Sequence, residues 1–279
     1  MADNSQEVVD TTKNYYDSED ADNFYYNVWG GEDIHVGLYN EIGESIYEAS
    51  QRSVDKMTEL IKDRVDANTR VVDVGAGYGG TARYFADKFG CHVDCLNLSD
   101  KENDLNKEKN EKLGYQDLVD VYGGNFEALP FSDDSYELAI AQDALLHSGN
   151  KKKVLEEVDR VLKSGGDFIF TDPMQADDCP EGVLKPVLER IHLDSMGSVA
   201  KYREMAKELG WEEVRTEEMP EQLVNHYSSV RKLLREKYDE LKGTISTEYM
   251  DRMIEGLGHW VEKGENGYLN WGYIHFHKP

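Results

Sequence analysis

Between Asn68 and Asp172 short apolar runs alternate with stretches of helical length. The apolar runs are RVVDVG from Arg70, CHVDCLNL from Cys91, LVDVYGG from Leu118, YELAIAQD from Tyr136 and GDFIFTD from Gly166. Between them stand GGTARYFADKF, the polar stretch from Asp100 to Leu113, and KKKVLEEVDRVLK, where the pattern is helical. Such alternation predicts βαβ units, and hence a parallel sheet with helices on both faces and ligands outside the carboxyl ends of its strands. Upstream, Ile46, Ala49, Val54, Met57, Leu60 and Ile61 predict a helix from Glu44 through Lys62. Downstream, a helix is expected near Val199, charged helices over Glu221 to Leu241 and Thr247 to Lys263, and a last strand in GYLNWGYIHFHKP from Gly267. Residues 1–23 are polar, with Tyr15 and Tyr16 as their apolar anchors, and read as mobile until something docks on them. The aromatic, glycine-rich FYYNVWGGEDIHVGLY, Phe24 to Tyr39, reads as a lid or as an arm packed on the core.

Charge narrows the partners. In 279 residues, 56 acids face 31 Lys and Arg, a formal net charge of −25. Nucleic acid and anionic membranes are held by clustered cations, so neither is an expected partner. The acids are dispersed, as in DSEDADN and TEEMPEQ, instead of forming a tail. This surface is similar to that of proteins from high-salt cytoplasm, where screening blunts self-repulsion, with an ordinary acidic protein as the alternative. No window approaches the ~18 apolar residues of a membrane span, and the N-terminus lacks a signal pattern, so a soluble cytoplasmic protein is expected, as monomer or homodimer. Cys91, Cys95 and Cys179 leave an odd thiol in any disulfide scheme and suit a reducing compartment; the first two read as small core residues of one strand face. The scattered histidines make no metal site.

The chemistry begins at VVDVGAGYGG, Val71 to Gly80: a strand, a turn and a helix start in which bare backbone reaches a ligand. Dinucleotide folds use GxGxxG, whereas the spacing here is GxGxG with Asp73 two residues ahead. This pattern resembles the first motif of class I S-adenosylmethionine-dependent methyltransferases. The resemblance continues through GGNFEALPFSDDSYELAIAQDALLH and LKSGGDFIFTD, with Ser164 where the family usually has proline. WGGEDIHVGLY, Trp29 to Tyr39, and DALLH, Asp143 to His147, look like the sarcosine/dimethylglycine N-methyltransferases, with phosphoethanolamine methyltransferases as near relatives.

The resemblance implies a doubly wound α/β fold with a mostly parallel, seven-stranded, Rossmann-like sheet. It also implies one compact domain: arm and lid over 1–50, cofactor core over 51–172, a substrate-cover insertion over 173–198, and completion of the sheet with helical cover over 199–279. S-adenosylmethionine would lie against Asp73, Gly75, Ala76, Gly77, Gly79, Leu98, Gln142, Val36 and Gly37, with Asn125 and Phe126 at adenine. Asn97 stands where the family usually has the ribose acid, with Asp100 three residues on. The acceptor would be a small amine, attacked as the neutral base by in-line methyl transfer. Asp143 and His147, spaced i, i+4 on a short helix, would face the cleft near Tyr25 or Tyr26, with His147 taking the proton and Asp143 orienting it; the alternative is that Asp143 positions backbone and His147 is an ordinary satisfied histidine. Tyr25, Tyr26, Trp29, Tyr39 and Trp271 are candidates for a cage around the methylated nitrogen. Met174, His192 and Met196 are candidate substrate contacts in the insertion, and Arg83, Lys185, Arg190 and Arg203 candidate anchors for a carboxylate. Other readings left open are a phosphobase N-methyltransferase, a methyltransferase acting on carbon of a lipid or quinone, and a cofactor-binding sensor without chemistry.

Overall fold

A computed structural model describes residues 2–41, 43–191 and 193–279, and the side chains among them except those of 2–8. The expected contact of His192 lies outside the described residues. The apolar runs become β1 (Arg70–Val74), β2 (His92–Asn97), β3 (Val119–Gly123), β4 (Tyr136–Gln142) and β5 (Leu162–Gln175), followed by β6 (Glu212–Glu218) and β7 (Leu269–His277). They form one seven-stranded sheet in the order β3-β2-β1-β4-β5-β7-β6. β1 to β5 pair in parallel, and β7 enters antiparallel between β5 and β6. The helices are α1 (Ala2–Tyr16), α2 (Glu19–Phe24), α3 (Ile46–Ile61), α4 (Gly80–Phe89), α5 (Asp100–Leu113), α6 (Lys151–Val161), α7 (Lys185–Arg190), α8 (Val199–Glu208), α9 (Pro220–Glu236), α10 (Tyr238–Leu241) and α11 (Thr247–Glu265). No described helix is long and apolar enough to cross a membrane.

The sheet separates the core into halves, as side-chain alternation requires. Val71, Val93, Cys95, Leu138, Ile140 and Ile169 point to one face, while Val72, Val74, Leu96, Ala139, Phe168 and Phe170 point to the other. Cys91 and Cys95 are fully buried on the first side. β6 departs from the apolar-run rule: EEVRTEE is mostly exposed, an edge strand held by pairing with β7 and by charge, so hydropathy gives no sign of it.

The N-terminal residues also depart from expectation. They form α1 and α2, continued by a π-helical turn over Tyr25–Trp29. Few apolar residues are needed because polar contacts to other elements dock these helices. Asp17 accepts from Ser99 Oγ at 2.7 Å at the cap of α5, Lys13 pairs with Asp100 at 2.7 Å, and Lys101 with Asp22 at 2.8 Å. Tyr78 donates to Asp22 at 2.7 Å, and the Tyr15 and Tyr249 hydroxyls share a bond of 2.8 Å with α11 as the far support. The helices therefore span from α5 to α11 across the carboxyl ends of the parallel strands. Such a docked segment should open without global unfolding. In Asp17→Ala, amide exchange over residues 2–24 should quicken while the melting temperature moves by less than about 2 °C, a cost of under ~1 kcal/mol; a cooperative loss of global stability would refute the independent docking.

Candidate active site

The turn after β1 sets the floor. Gly75, Gly77 and Gly79 have φ of 90°, 51° and 76°, the left-handed region that penalises a Cβ. The chain's own packing explains part of the glycine run: a Cβ on Gly75 would collide with Ala144, one on Gly79 with the Asn106 side chain, and one on Gly80 with Asp33. Gly77 differs. Its nearest neighbour would be the Ile34 side chain at 3.5 Å, and it faces a cleft.

That cleft lies outside the carboxyl ends of β1, β2 and β4 and is lined by Gly75, Gly77, Asn97, Leu98, Phe126 and Gln142, with Ile34, Asn125, Asp143 and His147 at its sides. Val9, Thr12, Lys13 and Tyr16 of α1 roof it. A smaller recess behind the turn takes in Asp73, Ala76, Asp33 and Gln142. Free space in the roofed cleft is about 90 Å³, well below the several hundred Å³ of a typical ligand pocket, so entry of a nucleoside-sized group requires α1 to shift. The polar fittings suit such a group: the Gln142 amide nitrogen and one Asp33 oxygen are buried without a hydrogen-bond partner, and Asp73 is enclosed. Burial pushes Asp73 up to about 7 and, helped by Glu32, Asp33 up to about 6. Val36 and Gly37, expected at the cofactor, instead use their amides within the protein, Val36 toward Asp143 at 2.6 Å and Gly37 toward His226 at 3.1 Å; Ile34 is the lid residue that reaches the cleft.

At the ribose end the sequence pointed to Asn97 and Asp100. Asp100 is turned outward in its pair with Lys13. The acid that reaches the cleft is Glu102, which accepts from Asn97 Nδ2 at 2.7 Å and whose carboxyl burial pushes up to about 7, against the pull of Asn97. Helix periodicity carries the signal, since Glu102 is in the first turn of α5, where the cap residue Ser99 turns it back over the strand end.

Asp143 and His147 are brought together differently from the i, i+4 expectation. Asp143 ends β4 with φ 53°, ahead of a 3₁₀ turn over Leu145–His147, so they do not share a helix face. The Asp143 carboxylate accepts from Val36 N at 2.6 Å, Thr171 Oγ1 at 2.7 Å and Trp271 Nε1 at 2.8 Å. His147 is oriented by Tyr16, whose hydroxyl lies 2.8 Å from Nε2. Burial, reinforced by Lys151 and Arg190, drives this imidazole down to about 3, so it is neutral at ordinary pH.

Aromatic rings gather beside His147, and of the set drawn from the sequence Tyr25 is among them. Tyr16 stacks on Tyr25 at 5.4 Å, and Tyr15 meets both and Tyr249. Tyr26 points away, 58% exposed on a separate groove. Trp29 packs on Tyr25, His226 and Tyr227 in the core, and Tyr39 bonds His226 at 3.1 Å. Met174 is buried on the opposite side of the sheet, and Trp271 serves Asp143. Met196 is buried apart from the cleft. Tyr15 and Tyr16, noted in the sequence only as anchors, and Tyr249, in a charged helix, needed the tertiary structure to appear here. At the far sheet edge, His92, Asp94 and Asp120 place a ligand atom each within 4.8 Å of one another, but Asp94 already serves Arg70 and Tyr136, each at 2.7 Å.

Comparison with known proteins fits this geometry. The family model described as a methyltransferase domain matches residues 72–170, the span from β1 to β5. The sarcosine/dimethylglycine N-methyltransferase of Aphanothece halophytica is 55% identical over 98% of this chain and 98% of its own. That of Halorhodospira halochloris is 49% identical over 98% of this chain and 97% of its own. The crystal structure of a candidate sarcosine dimethylglycine methyltransferase from Galdieria sulphuraria superposes with a TM-score of 0.91 at 42% identity, covering 95% of this chain and 98% of that one. With a matching fold and identity sustained over nearly the whole length of both chains, the chain belongs to the sarcosine/dimethylglycine N-methyltransferase family.

Proposed function

We propose that the protein methylates the nitrogen of sarcosine and dimethylglycine, using S-adenosylmethionine, to give dimethylglycine and glycine betaine. The observation that carries this reading is the near-full-length identity to relatives named for these acceptors, which extends through the segments that build the acceptor side of the cleft. The cofactor supplies a methyl group on a cationic sulfur, open to direct displacement by a neutral amine. The chain's part is to bind, align and exclude water. The Gly75–Gly77 turn and the recess at Asp33, Asp73 and Gln142 would take the amino-acid end, Asn97 and Glu102 the ribose hydroxyls, and Asn125 and Phe126 the adenine. Tyr15, Tyr16, Tyr25 and Tyr249 offer ring faces and hydroxyls to the nitrogen, and ring faces stabilise the positive charge that arrives there.

The roles of Asp143 and His147 are reassigned on this reading. An imidazole held near 3 does not keep a proton at neutral pH, so His147 and Tyr16 act as the latch between the 3₁₀ turn and α1, and the amine enters as the neutral base. Asp143 holds the lid backbone at Val36. α1, α2 and the segment to Tyr39 form the lid over a cofactor core, in a cytoplasmic enzyme whose product serves as a compatible solute; the dispersed acidic surface suits the same saline setting.

The decisive experiment is mass spectrometry of the purified protein with S-adenosylmethionine and, separately, sarcosine, dimethylglycine and phosphoethanolamine, at low and molar salt. Gain of one methyl on dimethylglycine is expected; methylation of phosphoethanolamine alone would replace the reading. The Tyr16→Phe and His147→Gln variants should each lower kcat/KM by about tenfold, and the double variant no further than the worse single, because they remove one shared bond. The wild-type pH profile should lack a limb near 6.5 that vanishes in His147→Gln, and kcat/KM should climb with pH as the amine loses its proton; a histidine limb would restore the base role. Cofactor affinity should weaken as pH falls below about 7, where Glu102 takes up its proton and loses acceptor capacity for the ribose hydroxyls, and Glu102→Gln should flatten that dependence in a calorimetric titration.

A further inference from the structure

In a chain so rich in carboxylates, a cation at a site normally finds one. Of the candidate anchors, Arg83 is enclosed and bound to Glu32, Asn106 and Asn110; Arg203 pairs with Glu213 at 2.7 Å; Lys185 is exposed beside Glu189 at 3.7 Å. Arg190 does not follow the pattern. At the end of α7 it is half-buried, and among the described residues no carboxylate forms an ion pair with it. Its Nε is buried without a hydrogen-bond partner, and its other contacts are neutral: Met253 Sδ at 3.8 Å and the Tyr227 hydroxyl. Gly256 of α11 makes room for the side chain, since a Cβ there would lie 2.5 Å from Arg190 Cδ. A guanidinium half removed from water with donors unspent costs free energy unless an acceptor completes it.

The surroundings identify that acceptor. Arg190 is a charged neighbour of Tyr16, Tyr25, Tyr249 and His147, shared at His147 with Lys151 and at Tyr16 with Glu102. It lines a groove with Tyr15 and Tyr249, while Tyr16 and His147 line the cofactor cleft; the adjoining Tyr15 and Tyr16 rings, centroids 5.1 Å apart, stand between the two. A small amino acid needs this polarity along its length: a cation for the carboxylate at one end and neutral, cation-tolerant groups for the nitrogen at the other. We propose that Arg190 holds the carboxylate of the acceptor amino acid, forming one end of an acceptor site whose other end is the Tyr16–His147 pair. This rests on the acceptor class proposed above. It adds that selection between amines is made by one guanidinium, whose charge also favours the unprotonated amine beside it. A phosphate group usually calls for converging cations, and the next one in the groove, Arg252, is exposed on α11.

Steady-state kinetics of the full chain test the assignment with Arg190→Met and Arg190→Lys. With dimethylglycine, Arg190→Met should raise KM about ten- to a hundredfold, the loss of a charge-assisted bond, with a smaller change in kcat. Arg190→Lys should fall between it and wild type. Inhibition by acetate, a bare carboxylate, should weaken at least about tenfold in Arg190→Met, while S-adenosylmethionine affinity by calorimetry stays within about twofold, showing a folded cofactor site. Unchanged KM and acetate inhibition would overturn the proposal. So would a loss confined to kcat, or equal losses for dimethylglycine and for dimethylethanolamine, which has no carboxylate. If Arg190→Met does not fold, the Arg190→Lys KM and acetate comparison decides. Wild-type enzyme that methylates no amino acid would instead overturn the acceptor class, a result separable from normal wild-type turnover with an indifferent Arg190 variant.

Discussion

The site depends on one half-buried carboxylate. Asp143, at the end of the central strand β4, takes donors from the lid backbone at Val36, from Thr171 of β5 and from Trp271 of β7. These segments are far apart in sequence, and each gives the same side chain a hydrogen bond that burial makes costly to leave unmade. Burial drives the Asp143 carboxyl above its usual range, while His35 and the three donors pull it back toward the ionised form. Its left-handed backbone turns the chain sharply, which leaves Ala144 against Gly75 and delivers His147 to the cleft. Lid, strand ends and glycine turn are thus fixed relative to a single atom group.

The proposed lid is built on opposite terms. α1 and α2 are held by ion pairs and part-buried hydroxyl bonds, to α5 on one side and α11 on the other, with Tyr15, Tyr16 and Phe24 as the main apolar contribution. Exposed ion pairs such as Lys13–Asp100 are individually weak and exchange readily with water. A lid held by many weak contacts can open for a charged cofactor and still exclude water when shut, which a lid sealed by a large apolar face could not do as readily. Tyr16 belongs to both descriptions, since its hydroxyl closes on His147 while its ring forms part of the acceptor wall.

The cleft shares the protein's acidic character. The acidic residues are mostly on the surface, and the cleft keeps a few enclosed acids, Asp73 and Glu102, whose ionisation burial resists. The groove at Arg190 carries Glu19, Asp20, Glu189 and Glu255, but among the described residues none forms an ion pair with the guanidinium, whose near contacts are Met253 and neutral tyrosines. That leaves a cation for an incoming anion, whereas Arg83 and Arg160 are held by carboxylates.

Periodicity and spacing determined much by themselves. The parallel strands, the glycine turn with Asp73 and the helices α3 to α6 follow from the alternation of apolar runs and from local turn chemistry, both of which act over a few residues, while Asn97, Asn125, Phe126 and Gln142 are singled out by the family resemblance and do line the cleft. Only the tertiary structure decided which side chains meet. β6 is a strand because β7 pairs with it, although EEVRTEE has no apolar face to announce it. Residues 2–24 are helical and docked because α5 and α11 supply partners that lie dozens to hundreds of residues away. Glu102 replaces Asp100, Tyr15 and Tyr16 replace Tyr26 and Trp29, and Arg190 separates from Arg83 and Arg203 for the same physical reason: an isolated residue's chemistry is set by its type, but its direction and partners are set by contacts between segments that no local pattern encodes.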